Sequence, residues 1–441
     1  MVYQNSIELM QLHGVPIYMN DMLNACLIGR LNLFLQGDTG SGKTQLARDA
    51  MKLFLQDRSL FILGRNDMDT RELFQQINLG KLNQKPKYSL EPLVNPDTGE
   101  LEYYYPRVDE KGVFIYQKLD REQTERVKKG LESIASSTAE LKELTSKINT
   151  NLIVVDELPN CVPAVRAQLF NLFDGFIEIN GIPYSIGNDY SVGIATGNIG
   201  QKFTESSNEL GRALKDRMHV VVDTDYFFPT PNDTFKILSG STNPRVEFSK
   251  DEKVDKEEII NKYREIIAKP IPHEKLIIVN YLLHGLDYCS KGSKRKMKDA
   301  YPTQLENHEQ GSDVGLVLPV SPRAAKSIIR LSQSLDQIAI NKGASSETVE
   351  AGTFNSMMQA YKFVSAYSGV LNEASVEANY GGNKYEAMDA IIRTTTREFE
   401  EQKTKIFAGI EMVSSRKLNQ KVLNLFVGRW TFMRSTLGGM L

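Results

Sequence analysis

The chain has 441 residues, with Lys+Arg 53 against Asp+Glu 55 and a formal net charge of -2. Its 41% hydrophobic and 24% charged residues are those of ordinary globular protein and exclude disordered and collagen-like classes. The near-neutral balance argues against a chain held on nucleic acid by overall charge. Cys26, Cys161 and Cys289 are too scattered for a disulfide framework or a zinc pattern. No signal peptide is visible and no apolar run nears the roughly 18 residues of a membrane span, so the expected localisation is cytoplasmic.

In chain order, residues 1–30 read as an amphipathic helical lead-in. Leu31 to Leu35 reads as a strand ending in a Gly-rich turn, followed by a helix from Lys43 to about Gln56. A second strand fits Ser59 to Leu63. Residues 74–118 read as an insertion carrying a hairpin, with turn signals at Asn95-Pro96-Asp97-Thr98-Gly99 and a strand through Tyr103, Tyr104 and Tyr105. Over residues 119–150, Val127, Leu131, Ile134, Thr138, Leu141, Thr145 and Ile148 recur at four-three spacing and predict one surface helix. Leu152 to Val155, Tyr190 to Thr196 and Met218 to Val222 are Val/Ile/Leu-rich, as strands covered on both faces require. Asn180-Gly181, between Phe176 and Ile186, predicts a tight hairpin.

Regular structure breaks at Pro229, and Lys250 to Leu441 is overwhelmingly helical in pattern. The expected fold class is α/β: an αβα phosphate-loop domain with a parallel sheet over residues 1–230, then an all-helical lid and extension over 250–441. The insertions, at about 74–118 and 119–150, belong to the first domain.

The chemistry-bearing residues fall at strand ends. Gly37-Asp38-Thr39-Gly40-Ser41-Gly42-Lys43-Thr44 follows a strand and opens a helix. Glycines let backbone N–H groups turn toward phosphate oxygens, and the helix dipole adds positive potential. Lys43 reaches terminal phosphates, while the Thr44 hydroxyl can ligate Mg²⁺. At the end of the strand from Leu152, Asp156 suits the Mg²⁺ water shell and Glu157 suits the polarisation of an attacking water. Asn198, at the tip of the next strand, has an amide able both to donate and to accept between γ-phosphate and water. Arg217 precedes the last strand. Arg323 lies in the first turn of a helix opened by Ser321 as N-cap and Pro322. Either arginine suits transition-state charge, from the same chain or a neighbour, with Arg212 an alternative to Arg217.

These residues resemble an AAA+ ATPase, and within that superfamily the MoxR-like branch. The likeness is carried by Gly37 to Thr44, Asp156-Glu157 with Pro163-Ala164-Val165 and Leu169 after it, Ile194 to Asn198, Leu214 to Arg217, and Ser321-Pro322-Arg323. Asp97-Thr98-Gly99-Glu100 resembles a hairpin insertion of that branch. The resemblance implies ATP rather than GTP, and Asn198, Arg217 and Arg323 as sensor 1, trans-acting arginine finger and sensor 2. It also implies a homo-oligomeric ring, commonly a hexamer, that remodels or matures a protein client, often with a von Willebrand factor A domain partner. Pro159-Asn160-Cys161-Val162, Gly197 and Met218 depart from the branch's usual residues.

Two other function classes stay open on the sequence: a nucleotide-gated scaffold of slow turnover, and a nucleic-acid-linked NTPase motor. The motor draws on the basic run Lys291, Lys294, Arg295, Lys296 and Lys298, which reads more readily as a solvated loop. Residues 416–434 read as an amphipathic closing helix with basic flanks.

Overall fold

The computed structural model describes residues 7–38, 40–51, 54, 58–65, 74–77, 92–108, 114–135, 142–179, 182–198, 217–228, 230–240, 256–287 and 315–440. The chain forms two compact units, Asp69–Ile148 and Met1–Met68 with Asn149–Leu441.

The larger unit opens with β1 (Glu8–Leu12) and β2 (Val15–Tyr18), paired antiparallel, then α1 (Met19–Gly29). The lead-in expected to be helical is therefore half hairpin. His13 and Gly14 both take positive φ, 51° and 80°. That pair of left-handed residues is the tight turn whose twist suits a hairpin, and it overrides the helical spacing. β3 (Leu33–Gln36) leads into α2 (Lys43–Met51), and β4 (Ser59–Leu63) follows.

Among its described residues the smaller unit holds two antiparallel sheets and a helix. β5 (Gln75–Ile77) pairs antiparallel with β9 (Lys142–Leu144), while β6 (Pro92–Val94), β7 (Leu101–Val108) and β8 (Phe114–Leu119) form a three-stranded antiparallel sheet. Between β8 and β9 lies α3 (Arg121–Ala135). Asn95 shapes the expected turn: its side-chain oxygen accepts the Asp97 N–H at 2.9 Å, and its N–H donates to Glu100 O. The single helix expected over 119–150 is realised over 121–135. Lys142–Leu144 instead joins a strand pair, because cross-strand bonding outweighs a helical stripe weakened by threonines.

Back in the larger unit come β10 (Leu152–Asp156), α4 (Pro163–Phe173), the antiparallel pair β11 (Phe176–Ile179) and β12 (Ile182–Ser185), then β13 (Val192–Gly197) and β14 (Val220–Asp223). Five strands make one sheet in the order β14-β3-β13-β10-β4, parallel throughout. Every residue of β3, β10 and β13 is buried. This is why their apolar residues run without alternation, each buried Val, Leu or Ile contributing about 1.5–3 kcal/mol.

The helices that follow are α5 (Pro231–Gly240), α6 (Lys256–Ala268), α7 (His273–Asn280), α8 (Pro322–Asn341), α9 (Ser346–Ala351), α10 (Thr353–Ser365), α11 (Glu373–Tyr380), α12 (Lys384–Ser414), α13 (Gln420–Leu423) and α14 (Met433–Gly439). One continuous apolar core runs from β1 and α1 through the sheet into α8, α10 and α12. A buried polar knot ties the N-terminal hairpin to it: His13 Nε2 lies 2.8 Å from Asp336 Oδ1, and Lys275 Nζ donates to Asp336 Oδ2 at 2.7 Å and to Ser332 Oγ at 2.9 Å. The closing helix expected over 416–434 is instead a short helix, a 3-10 turn at Gly428–Trp430 and α14; Gly428 at φ 61° breaks it.

Candidate nucleotide site

The parallel sheet gathers the expected residues at its carboxyl edge. β3 ends at Gln36 and runs into the glycine loop, where Gly37, Gly40 and Gly42 have φ of 144°, 85° and 83°. Position 37 needs glycine for space as well, because a Cβ there would lie 2.1 Å from Thr224 Oγ1. Thr39 lies outside the described residues. Lys43 is 8% exposed and bends back over its own loop. Its ammonium donates to Gly37 O at 2.9 Å, to Asp38 O and to Ser41 Oγ at 3.1 Å. Burial holds its pKa below the usual lysine value, against the opposing pull of Asp225, Asp38, Asp156 and Asp223.

Register alone brings the other two strand ends alongside. Gly197 pairs with Gln36, so Asn198, half-buried, is level with Gly37. Asp156 ends β10, and the Thr44 hydroxyl donates to its Oδ1 at 2.9 Å. Glu157 is exposed and left-handed at φ 57° and ψ 42°, which turns the chain sharply into a 3-10 helix, Leu158–Asn160. The Asn160 amide donates to Glu157 Oε2 at 2.9 Å.

This set fits a magnesium nucleotide. Thr44 Oγ1 lies 2.9 Å from Asp156 Oδ1, so one hydrated cation could take the hydroxyl directly and the carboxylate through its water shell. Among the described residues no group of three or more His, Cys, Asp or Glu side chains could hold a metal by itself. The hydroxyl of Thr44 beside the single carboxylate of Asp156 is an all-oxygen donor pair of the kind Mg²⁺ takes together with phosphate and water oxygens.

The opposite edge of the sheet carries both expected arginines. Asn32, 2% exposed, donates through Nδ2 to Phe173 O at 2.8 Å and Arg217 O at 3.0 Å, and its Oδ1 accepts the Gly193 N–H at 2.8 Å. That one amide fastens the starts of β3 and β13, the segment before β14 and the end of α4. Arg217 Nε donates to Asp174 Oδ2 at 2.8 Å, with its guanidinium carbon 4.9 Å from the Phe170 ring centre. Arg323 Nη1 lies 3.9 Å from the other oxygen of the same carboxylate. Ser321 caps α8 as expected, its Oγ accepting the Ala324 N–H at 3.1 Å. The five residue steps from Asn32 through β3 to Gly37 put about 17 Å between Asn32 and the glycine loop. Arg212 and the basic run 291–298 lie outside the described residues.

The family described as the AAA domain, dynein-related subfamily, matches residues 32–218, a span holding the loop, Asp156, Glu157, Asn198 and Arg217. Residues 32–218 are an AAA ATPase domain. No curated protein matches the sequence. Among solved structures, a Cytophaga hutchinsonii protein named as a candidate ATPase aligns over 85% of this chain and 88% of its own, with TM-score 0.50 and 14% identity. At that identity the likeness is one of fold.

Residues that the sequence did not single out bond the glycine loop and the strand beside it. Asp38 N–H donates to Asp225 Oδ1 at 2.7 Å, and Thr224 Oγ1 bonds Gln36 O at 2.9 Å and Ser41 Oγ at 2.8 Å. Asp223 Oδ2 accepts from Gln36 Nε2 at 2.8 Å and from the Tyr367 hydroxyl, whose pKa burial raises. Tyr385, fully buried, accepts the Asp223 N–H at 3.2 Å and donates to Val221 O at 3.0 Å. The residues beyond 340 thus pack directly against the strand beside the glycine loop. Val220-Val221-Val222-Asp223-Thr224-Asp225 repeats the pattern of Leu152 to Glu157, apolar strand then acids. That repeat was the available signal; Tyr367 and Tyr385 carried none.

Proposed function

We propose that this ATPase works as a MoxR-like ring, commonly six copies, that couples Mg²⁺-dependent ATP hydrolysis to remodelling or maturation of a protein client. In this reading residues 1–230 form the nucleotide domain and 250–441 the helical lid and its extension. The loop from Gly37 to Thr44 cradles the triphosphate and Lys43 leaves its own carbonyls for the terminal phosphates. Thr44 and Asp156 hold Mg²⁺, which when bound neutralises charge on the β- and γ-phosphate oxygens. Glu157 takes a proton from the attacking water, and Asn198 orients that water against the γ-phosphate.

One observation carries the ring. Arg217 and Arg323 converge on Asp174 at the strand-start edge, while the glycine loop lies at the strand-end edge of the same sheet. Neither guanidinium spans that thickness within one copy. A neighbouring copy that sets its Asp174 edge against the glycine loop supplies both, with Asp174 keeping them presented until the γ-phosphate competes for them. A partner bearing a von Willebrand factor A domain is the expected adaptor to the client, and the cytoplasm the expected site of action. The test is assembly: sedimentation of the full chain with ATP analogue and Mg²⁺ should give a closed oligomer, and Glu157→Gln should stabilise it. A monomer under all nucleotide conditions would reject the ring.

A further inference from the structure

Thr196, next to last in β13, is 1% exposed and has no place among the residues that bind phosphate or attack it. Its hydroxyl nevertheless joins the two acidic residues of the site. The oxygen donates its single proton to Asp156 Oδ1 and accepts the backbone N–H of Glu157 at 3.2 Å. A hydroxyl can do both at once, whereas an aliphatic side chain of the same shape can do neither.

We propose that Thr196 is a positioning residue for hydrolysis, one hydroxyl setting the rotation of the Asp156 carboxylate and the backbone turn that presents Glu157. The inference rests on the roles given to Asp156 and Glu157 above. On Asp156, the donors from Thr44 and Thr196 both address Oδ1, leaving Oδ2 for the metal's water shell. Were Thr44 to ligate Mg²⁺ instead, Thr196 would remain to hold the carboxylate plane. On Glu157, the accepted N–H fixes a peptide in the left-handed region, which glutamate seldom occupies. An extended residue at that point would carry the carboxylate along the strand instead of turning it over the loop. The site therefore couples metal and base through one buried oxygen.

The test compares Thr196→Val, Thr196→Ala and Thr196→Ser in the full chain, with Glu157→Gln alongside. Turnover, binding of a fluorescent ATP analogue across a Mg²⁺ titration, and melting temperature are measured. Val and Ala should lower kcat about 10- to 100-fold, the usual loss when a residue supporting a metal ligand is removed. Both should also raise the Mg²⁺ concentration that half-saturates analogue binding, while analogue affinity without Mg²⁺ stays within about threefold of wild type. Ser, which keeps the hydroxyl, should restore turnover and Mg²⁺ response together. Ala keeps the question answerable if Val disturbs folding. Wild-type turnover and Mg²⁺ response in Val and Ala, beside an inactive Glu157→Gln, would overturn the role of Thr196 alone. A Ser variant as slow as Val would also overturn it. Normal turnover in Glu157→Gln would overturn the assigned base, and Thr196's role with it.

Discussion

The ring of Pro159 occupies the space that any side chain at position 197 would need: a Cβ on Gly197 would lie 2.4 Å from Pro159 Cδ and 3.2 Å from Phe34 Cζ. The proline thus fills what the glycine vacates. Gly197→Ala should push on the turn after Asp156 and on Asn198 next to it. We expect a loss of about 1–3 kcal/mol, the range for an overpacked core, with reduced ATP turnover. Urea unfolding and steady-state kinetics check this, and unchanged stability would contradict the packing.

Asn32→Leu should destabilise the chain by about 2–4 kcal/mol. The substitution leaves the Gly193 N–H and the Phe173 and Arg217 carbonyls without their buried partner, and each stranded group costs about 1–3 kcal/mol before the surroundings relax. Because the same amide holds the Arg217 backbone, hydrogen exchange should rise at residues 217–220 ahead of β7 and β8.

The smaller unit carries a pH dependence of definite sign. Hydrogen bonds from Lys118, Asn95 and Tyr104 lower the Glu102 pKa from 4.5 to about 2. A carboxylate lowered on folding contributes stability that is complete above its unfolded pKa and lost as pH falls through the folded one. The β6–β8 sheet should therefore hold unchanged down to about pH 4.5 and weaken from there toward pH 2. Glu102→Gln should remove that dependence, as amide exchange in residues 92–119 would report.

Much of this architecture was legible from residues. Uninterrupted Val/Ile/Leu runs gave the strands of the parallel sheet, since burial on both faces removes alternation. The glycine loop and Asp156-Glu157 stood out because phosphate and Mg²⁺ chemistry demand particular residue types at strand ends. What the sequence hid was long-range. The hairpin at Glu8 to Tyr18 has helical spacing that only the His13-Gly14 turn overrides, and Lys142 to Leu144 becomes strand only because Gln75 to Ile77 pairs with it. Convergence of Arg217 and Arg323 on Asp174 joins residues about 150 positions apart on different helices and loops, which no local pattern announces.

Lys43→Ala should abolish ATP-dependent stabilisation. Ligand at one hundred times its Kd raises the stability of a binding-competent chain by about 2.7 kcal/mol, and without the ammonium that shift should vanish. A melting-temperature rise with ATP and Mg²⁺ equal to wild type would show that the loop holds phosphate by other means.

In the proposed ring an arginine from one copy completes the phosphate site of another. Lys43→Ala removes nucleotide from its own site but keeps its arginines; Arg217→Ala keeps its own site but offers no guanidinium to a neighbour. Each variant alone should be nearly inactive, and mixing the two should recover a fraction of wild-type turnover that rises and falls with the mixing ratio. Mixed assemblies, verified by sedimentation, that stay as inactive as the separate variants would contradict the account.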